Sequence, residues 1–185
     1  MSIPHSADRR EIRLAGPDDV AALHGIEAAA DALFEDLFGP APFGEDSAAD
    51  GAERMAEPGF VLVAAEEPGG PAIGFAHVLA PLPGLPADAH LEQLAVDPAH
   101  LRRGHGRALV EAAVAEAAAR SAVRMTLRTY LDVPWNAPFY AACGFIAIDP
   151  IDAAIHRQMI RTEEEIGLFA HGPRTLMARD IDPPR

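Results

Sequence analysis

The chain has 185 residues, 49% of them apolar, which suits a single domain over residues 1–185 with one substantial core. A formal net charge of −13 excludes the basic face that phosphate-backbone binding needs, so nucleic acid is not an expected partner. No run approaches the ~20 apolar residues of a membrane span, the start MSIPHSADRREIRL lacks a signal-peptide core, and Cys143 is the only cysteine; the expected setting is a reducing cytoplasm away from membranes.

Residues 11–15 (EIRLA) read as a first strand. Asp18 and Asp19 are placed to cap a helix in which Val20, Leu23, Ile26 and Leu33 recur at helical spacing, and residues 31–38 continue as helix. Residues 39–51 form a loop into a short helix over 52–56. Residues 60–65 (FVLVAA) are a buried strand, EEPGGP a turn, and 72–79 the returning strand of a hairpin. A loop over 81–86 leads to a strand over 90–96. A helix follows over 105–121, then a strand over 124–130, a short helix around Tyr140 and a strand over 145–148. Residues 150–168 are polar and helical in part, with Arg161 and Glu165 spaced i,i+4. Residues 175–181 close the chain as a strand. This order predicts α/β layers around a mixed sheet.

The densest signal lies between Leu94 and Ala122. An apolar strand ends at Val96, a turn through Pro98 follows, and LRRGHG (101–106) opens a long Ala/Leu/Val helix. Glycines at the mouth of a helix let a ligand approach the backbone without meeting a Cβ. The unpaired N–H groups of the first turn favour an anion, and Arg102, Arg103 and Arg107 add charge that pairs with phosphate. No Gly-Lys-Ser/Thr follows, which excludes a Walker loop, and G-x-G-x-x-G is incomplete. Downstream, VPWNAPFYAACGF (133–145) sets Tyr140 four residues before the pair Gly144–Phe145. Gly144 suits the residue just past a helix end. Cys143 beside it reads either as a packed small residue or as a nucleophile.

Together these two segments resemble the GNAT N-acetyltransferase superfamily. Val96, Pro98, Gly104 and Gly106 match its V-x-P turn and Q/R-x-x-G-x-G/A loop, and Tyr140 with Gly144–Phe145 matches its second motif. Leu101 stands where the family has Gln or Arg, His105 where an aliphatic residue is common, and Val133 where an Asn is frequent. The resemblance implies a mostly antiparallel mixed central sheet with helices on both faces and a splayed strand pair admitting the pantetheine arm of acetyl-CoA. It implies a co-substrate site built from Leu94, Ala95, Val96, Arg102, Arg103, Gly104, His105, Gly106, Arg107 and Ala108. Asn136 either joins that site or caps the Tyr140 helix. The implied activity is transfer of an acetyl group to a primary amine of a small molecule or peptide, with a non-catalytic acyl-CoA-binding module as the alternative. Homodimers are common in the family.

Acetyl transfer needs a proton acceptor for the amine, a polarised carbonyl and a stabilised thiolate. The resemblance assigns the thiolate's proton to Tyr140 and carbonyl polarisation to backbone at 94–96. For the base, His90, Glu92 and Leu94 alternate along one strand and should share a face; Glu92 is the first candidate and His90 the second. His77 on the preceding strand reads first as a satisfied structural histidine and is a third candidate. His90–Glu92 also has the H-x-E form of zinc deaminases, but the P-C-x-x-C that reading requires is missing, and no His pair has H-E-x-x-H spacing, so no metal is expected. Phe34, Phe38, Tyr130 and Trp135 are candidates for the acceptor wall or for the core.

Overall fold

The structure, a computed structural model, describes residues 10–40, 42–43 and 48–182. Seven strands form one sheet: β1 (Glu11–Leu14), β2 (Gly59–Ala65), β3 (Gly74–Leu79), β4 (Asp88–Val96), β5 (Arg124–Tyr130), β6 (Ile146–Ile148) and β7 (Arg174–Asp180). Their spatial order is β1-β2-β3-β4-β5-β7-β6. All neighbours are antiparallel except β4 and β5. A parallel pair needs a crossover, and α4 (His105–Ala119) supplies it. This is the mixed, mostly antiparallel sheet that the family resemblance implied.

Helices cover both faces. Leu109, Val110, Ala113 and Ala117 of α4 pack with Leu62, Val78, Leu91, Met125 and Leu127 of the strands, and α5 (Ala137–Ala142) joins them through Ala137 and Tyr140. The alanines keep α4 slim, so it lies close to the sheet. On the opposite face Leu23 and Ile26 of α1 (Val20–Asp31) meet Val61, Val63, Phe75 and Ala95. That face also carries α2 (Glu35–Phe38), α3 (Gly51–Ala56) and α6 (Ala154–Glu165), placed there by contacts such as Phe38 with Tyr130, Arg54 with His77 and His156 with His90. No helix among the described residues is long and apolar enough to cross a membrane.

Several local expectations change. Asp19 does not cap α1; its carboxylate accepts two bonds from Arg13, at 2.6 and 2.8 Å, and one from Gly16 N at 2.8 Å. The α3 cap is instead Asp50, which accepts from the N–H groups of Ala52 and Glu53. Residues 150–168 contain a full helix, α6, but Arg161 and Glu165 form no ion pair in it. Parts of the 39–51 loop lie outside the described residues.

Two irregularities in β4 position the site. Against β3, His77 pairs with Gln93 and Val78 with Leu91, so Glu92 is an extra, bulged residue. The bulge resets the alternation. Gln93 and Ala95 therefore face α1, whereas Leu94 and Val96 face α4. The expectation that His90, Glu92 and Leu94 share a face is corrected accordingly: His90 and Glu92 stay together and Leu94 turns away. Against β5, β4 pairs only over Asp88–Leu91 with Arg124–Leu127. Beyond that the strands part, and residues 92–96 have no β5 partner.

Candidate active site

The loop at the C-terminal end of β4 is built to be tight. Arg102 and Gly104 have φ of +60° and +83°, and Gly104 is the N-cap of α4. At Gly104 that conformation favours glycine; at Arg102 the loop holds an ordinary side chain in it. The Ala108 N–H returns to the Gly104 carbonyl at 3.0 Å, which closes the first turn. Arg10, just before β1, donates to the carbonyls of Arg103 and Gly104 at 2.9 and 2.8 Å. The sequence offers no signal for that brace, since the partners are over 90 positions apart.

The three loop arginines differ. Arg102 is exposed and has no hydrogen bond or ion pair among the described residues. Arg103 is bound to Glu66 at 2.5 Å, and Glu66 also meets His100 Nδ1 at 3.0 Å. Arg107 donates to the Ala142 carbonyl at 2.8 Å, tying the start of α4 to the end of α5. His105 is buried with its Nδ1 unpartnered, and burial, then the charge of Arg10, lowers its pKa. First-turn N–H groups without helical partners, one free guanidinium and a narrow glycine approach fit a phosphate anion. A Cβ at Gly106 would meet the Phe139 ring at 3.5 Å.

Tyr140 and Glu92 flank the parted strands from opposite faces. Tyr140 packs with Phe139 and Phe145 at ring centroid distances of 5.1 and 6.0 Å, and its hydroxyl makes no hydrogen bond among the described residues. Burial, then Cys143, pushes the phenol pKa up, so it stays protonated. The end of α5 is closed by Gly144 at φ +84°, with Phe145 N–H bonded to the Tyr140 carbonyl; this is the Schellman closure that the Gly-Phe pair implies. Asn136 is the α5 N-cap residue, yet its side chain makes no cap bond. Cys143 is buried with a raised pKa, as a packed residue is.

Glu92 lies where β4 has lost its β5 partner, its side chain 44% exposed, with protein packed around the rest of it. That crowding, then the nearby Glu57 carboxylate, raises its pKa. His90 is different: it is buried, its Nδ1 lies 2.8 Å from Thr126 Oγ1, and its Nε2 lies 3.6 Å from Glu92 Oε2. Burial, then His156 and Arg128, holds it at about 3. An imidazole that acidic cannot hold a proton taken from an amine at neutral pH.

Buried polar networks that sequence reading missed surround Glu92. Arg54 donates to Glu27 at 2.6 Å and to His77 Nδ1 at 3.1 Å, which confirms His77 as a bonded structural residue. Gln93 donates to the other Glu27 oxygen at 2.5 Å and accepts from Leu94 N–H at 3.1 Å. Glu163 of α6 pairs with both Arg128 and Arg174, at 2.8 and 2.9 Å. Arg174 also lies 4.6 Å from the Tyr130 ring centroid, and its charge acts on both Glu92 and Tyr140. Phe34, Phe38, Tyr130 and Trp135 form one cluster, joined by Phe43 and His171. Among the described residues no three His, Cys, Asp or Glu side chains gather as a metal site.

Comparison with known proteins agrees with this geometry. The model of the acetyltransferase (GNAT) family matches residues 26–145. Among solved structures, the ribosomal-protein-S18-alanine N-acetyltransferase from Escherichia coli superposes with TM-score 0.64 at 19% identity, over 95% of this chain and 96% of that one. The PaiA N-acetyltransferase from Thermoplasma acidophilum, solved in complex with coenzyme A, gives TM-score 0.68 at 14% identity, over 92% and 98%. The protein yncA from Salmonella typhimurium, solved with its cofactor acetyl-CoA, gives 0.64 at 20% identity, over 94% and 95%.

Proposed function

The chain belongs to the acetyltransferase (GNAT) family, and from that premise we propose that it transfers an acetyl group from acetyl-CoA to a primary amine by direct attack. The observation that carries the reading is the cleft itself. β4 and β5 part immediately after Leu91 and Leu127, with a glycine-capped helix N-terminus below and Glu92 and Tyr140 on either side.

In this reading the free N–H groups at 105–107 and Arg102 hold the pyrophosphate, the Ala108 N–H being taken by the Gly104 carbonyl, and the β4 backbone at Leu94, Ala95 and Val96 meets the pantetheine arm. Arg103 and Arg107 reach the phosphates only by leaving Glu66 and the Ala142 carbonyl. Asn136, with its side chain free of a cap bond, is open to the same ligand. Acetyl-CoA supplies the acetyl thioester; the amine nitrogen forms the new C–N bond as C–S breaks. Glu92 accepts the amine proton, directly or through water, and its raised pKa brings it nearer the pH at which a base works best. Tyr140 gives its proton to the departing thiolate. Gln93 must release the Leu94 N–H before that donor can polarise the carbonyl.

The test is thiol release from acetyl-CoA over a panel of amines. Amine-dependent release of CoA is expected. A folded protein that binds CoA tightly and releases no thiol with any amine is a binding module instead.

A further inference from the structure

We propose that the acceptor is a primary amine whose skeleton carries an aromatic or comparably bulky apolar group and no carboxylate, an assignment that rests on the acetyltransferase reading above. The site is the aromatic cluster at the C-terminal end of β5. Phe34 lies 5.6 Å from both Phe38 and Trp135 and 6.2 Å from Tyr130, centroid to centroid. Phe43 sits against Phe34 at 5.1 Å and against Tyr130 at 6.5 Å. His171 stacks on Phe38 at 4.8 Å, and its Nε2 donates to the Pro42 carbonyl at 2.7 Å, which fastens the segment bearing Phe43 to the cluster.

The cluster is not a closed core. Tyr130 is buried, but Trp135 is 42% and Leu37 49% exposed, and Phe34, Phe38 and Phe43 keep part of their rings open. A groove runs past Leu37, Phe38, Tyr130, Val133, Pro134 and Pro173. Apolar surface concentrated in one concave place marks a binding site more often than leftover core.

Charge selects the rest of the ligand. Exposed Glu35 and Asp36 start α2, and exposed Asp132 follows β5, so the rim is acidic. Glu92 adds a carboxylate at the cleft, and Arg174 connects the two places, lying over Tyr130 while its charge acts on Glu92. An ammonium finds anions at both ends. A carboxylate meets the same exposed acidic groups, while Arg128 and Arg174 are largely buried and held by Glu163. The expected ligand thus lays an apolar body on the rings and extends its amine toward the parted strands.

Trp135 is the only tryptophan, so its emission reports occupancy without turnover. The experiment titrates the CoA-bound wild type with 2-phenylethylamine, ethylamine, 1,4-diaminobutane and phenylalanine, and in parallel measures thiol release from acetyl-CoA. Saturable change in Trp135 emission is expected with 2-phenylethylamine, at concentrations at least ~10-fold below those needed for the other three. A phenyl group buried on the rings should raise kcat/KM about 10–100-fold over ethylamine. Phe38→Ala and Trp135→Ala should each lower that ratio about tenfold, mainly through KM for 2-phenylethylamine; because Trp135 is half exposed, its variant carries the smaller folding risk. Equal or better binding and turnover of ethylamine, the diamine or phenylalanine overturns the assignment while leaving acetyl transfer intact. Selective saturation by 2-phenylethylamine with no thiol released supports the pocket and refutes the transfer reading.

Discussion

Gly106→Glu separates the proposed phosphate site from the fold that carries it. At this position φ is not left-handed, and a Cβ would sit in ordinary contact with Phe139 at 3.5 Å. Gly106→Ala is therefore expected to leave both stability and CoA affinity nearly unchanged. Glutamate is also acceptable to the free helix, since a carboxylate in the first turn is favoured by the dipole. The bound state is what suffers. A unit charge ~5 Å from each of two phosphate charges, at an effective dielectric near 40, costs about 1.7 kcal/mol per pair, or about 3 kcal/mol in all. That corresponds to roughly a 200-fold weaker Kd. Calorimetric titration with CoA measures the affinity, and thermal unfolding of the free protein measures the fold. A Gly106→Glu variant with wild-type Tm whose CoA affinity stays within a factor of about three of wild type would falsify the assignment of the pyrophosphate to the start of α4.

Glu92→Gln should lower kcat and flatten the acidic limb of the pH–rate profile: the carboxylate must be ionised to act, so activity falls as pH drops through its raised pKa. His90→Gln should move that limb less, as His90 is neutral across the working range; a larger effect from His90 than from Glu92 reverses the choice of base. Tyr140→Phe should keep CoA affinity, because the hydroxyl holds no partner, and lower turnover by on the order of 10²–10⁴; unchanged kcat returns Tyr140 to packing. Glu163→Gln leaves Arg128 and Arg174 buried without an anion and should destabilise the protein by about 3–5 kcal/mol in urea unfolding; a loss below about 1 kcal/mol means that solvent already screens the pair. His77 and His90 titrate near 4 and 3 in the fold against 6.5 in the unfolded chain. Below pH 6.5 the unfolded chain binds the extra protons, so stability should fall with acidification by up to about 2.7 kcal/mol per pH unit for the two groups, and His90→Gln should show the shallower slope.

What could be read in the sequence was what local geometry dictates. The strand ending at Val96, the loop with Gly104 and the Ala-rich helix form one contiguous run, and glycine at φ +83° is a local necessity. Gly144 marks the end of α5 for the same reason. What could not be read depends on partners far along the chain. The bulge at Glu92 exists only in the register with β3, and it alone decides that Leu94 faces α4. Glu27, Arg54 and Gln93 bond across separations of 27 and 66 residues. Phe43 and His171 reach the aromatic cluster from segments 128 residues apart that carry no periodic pattern. Arg103 and Arg107 show the limit from the other side: their type suggested phosphate, and their present partners are Glu66 and the Ala99 carbonyl for Arg103 and the Ala142 carbonyl for Arg107.

The two faces of the sheet differ in a way that stability alone does not explain. The α4 face is an apolar core of alanine, valine, leucine and methionine. The opposite face buries Arg54 with Glu27, and Arg128 and Arg174 with Glu163. Well-packed apolar side chains at such places are often as stable or more so, because desolvating the charges offsets much of their attraction. These charges surround the single point where β4 is bulged and β5 has moved away. Arg54 and Arg174 favour the ionised form of Glu92, while Glu57 and Glu163 oppose it. Removing the arginines would raise the Glu92 pKa further, and removing Glu57 or Glu163 would lower it. The costly groups thus gather on the face that carries Glu92, while the apolar face holds the strands together.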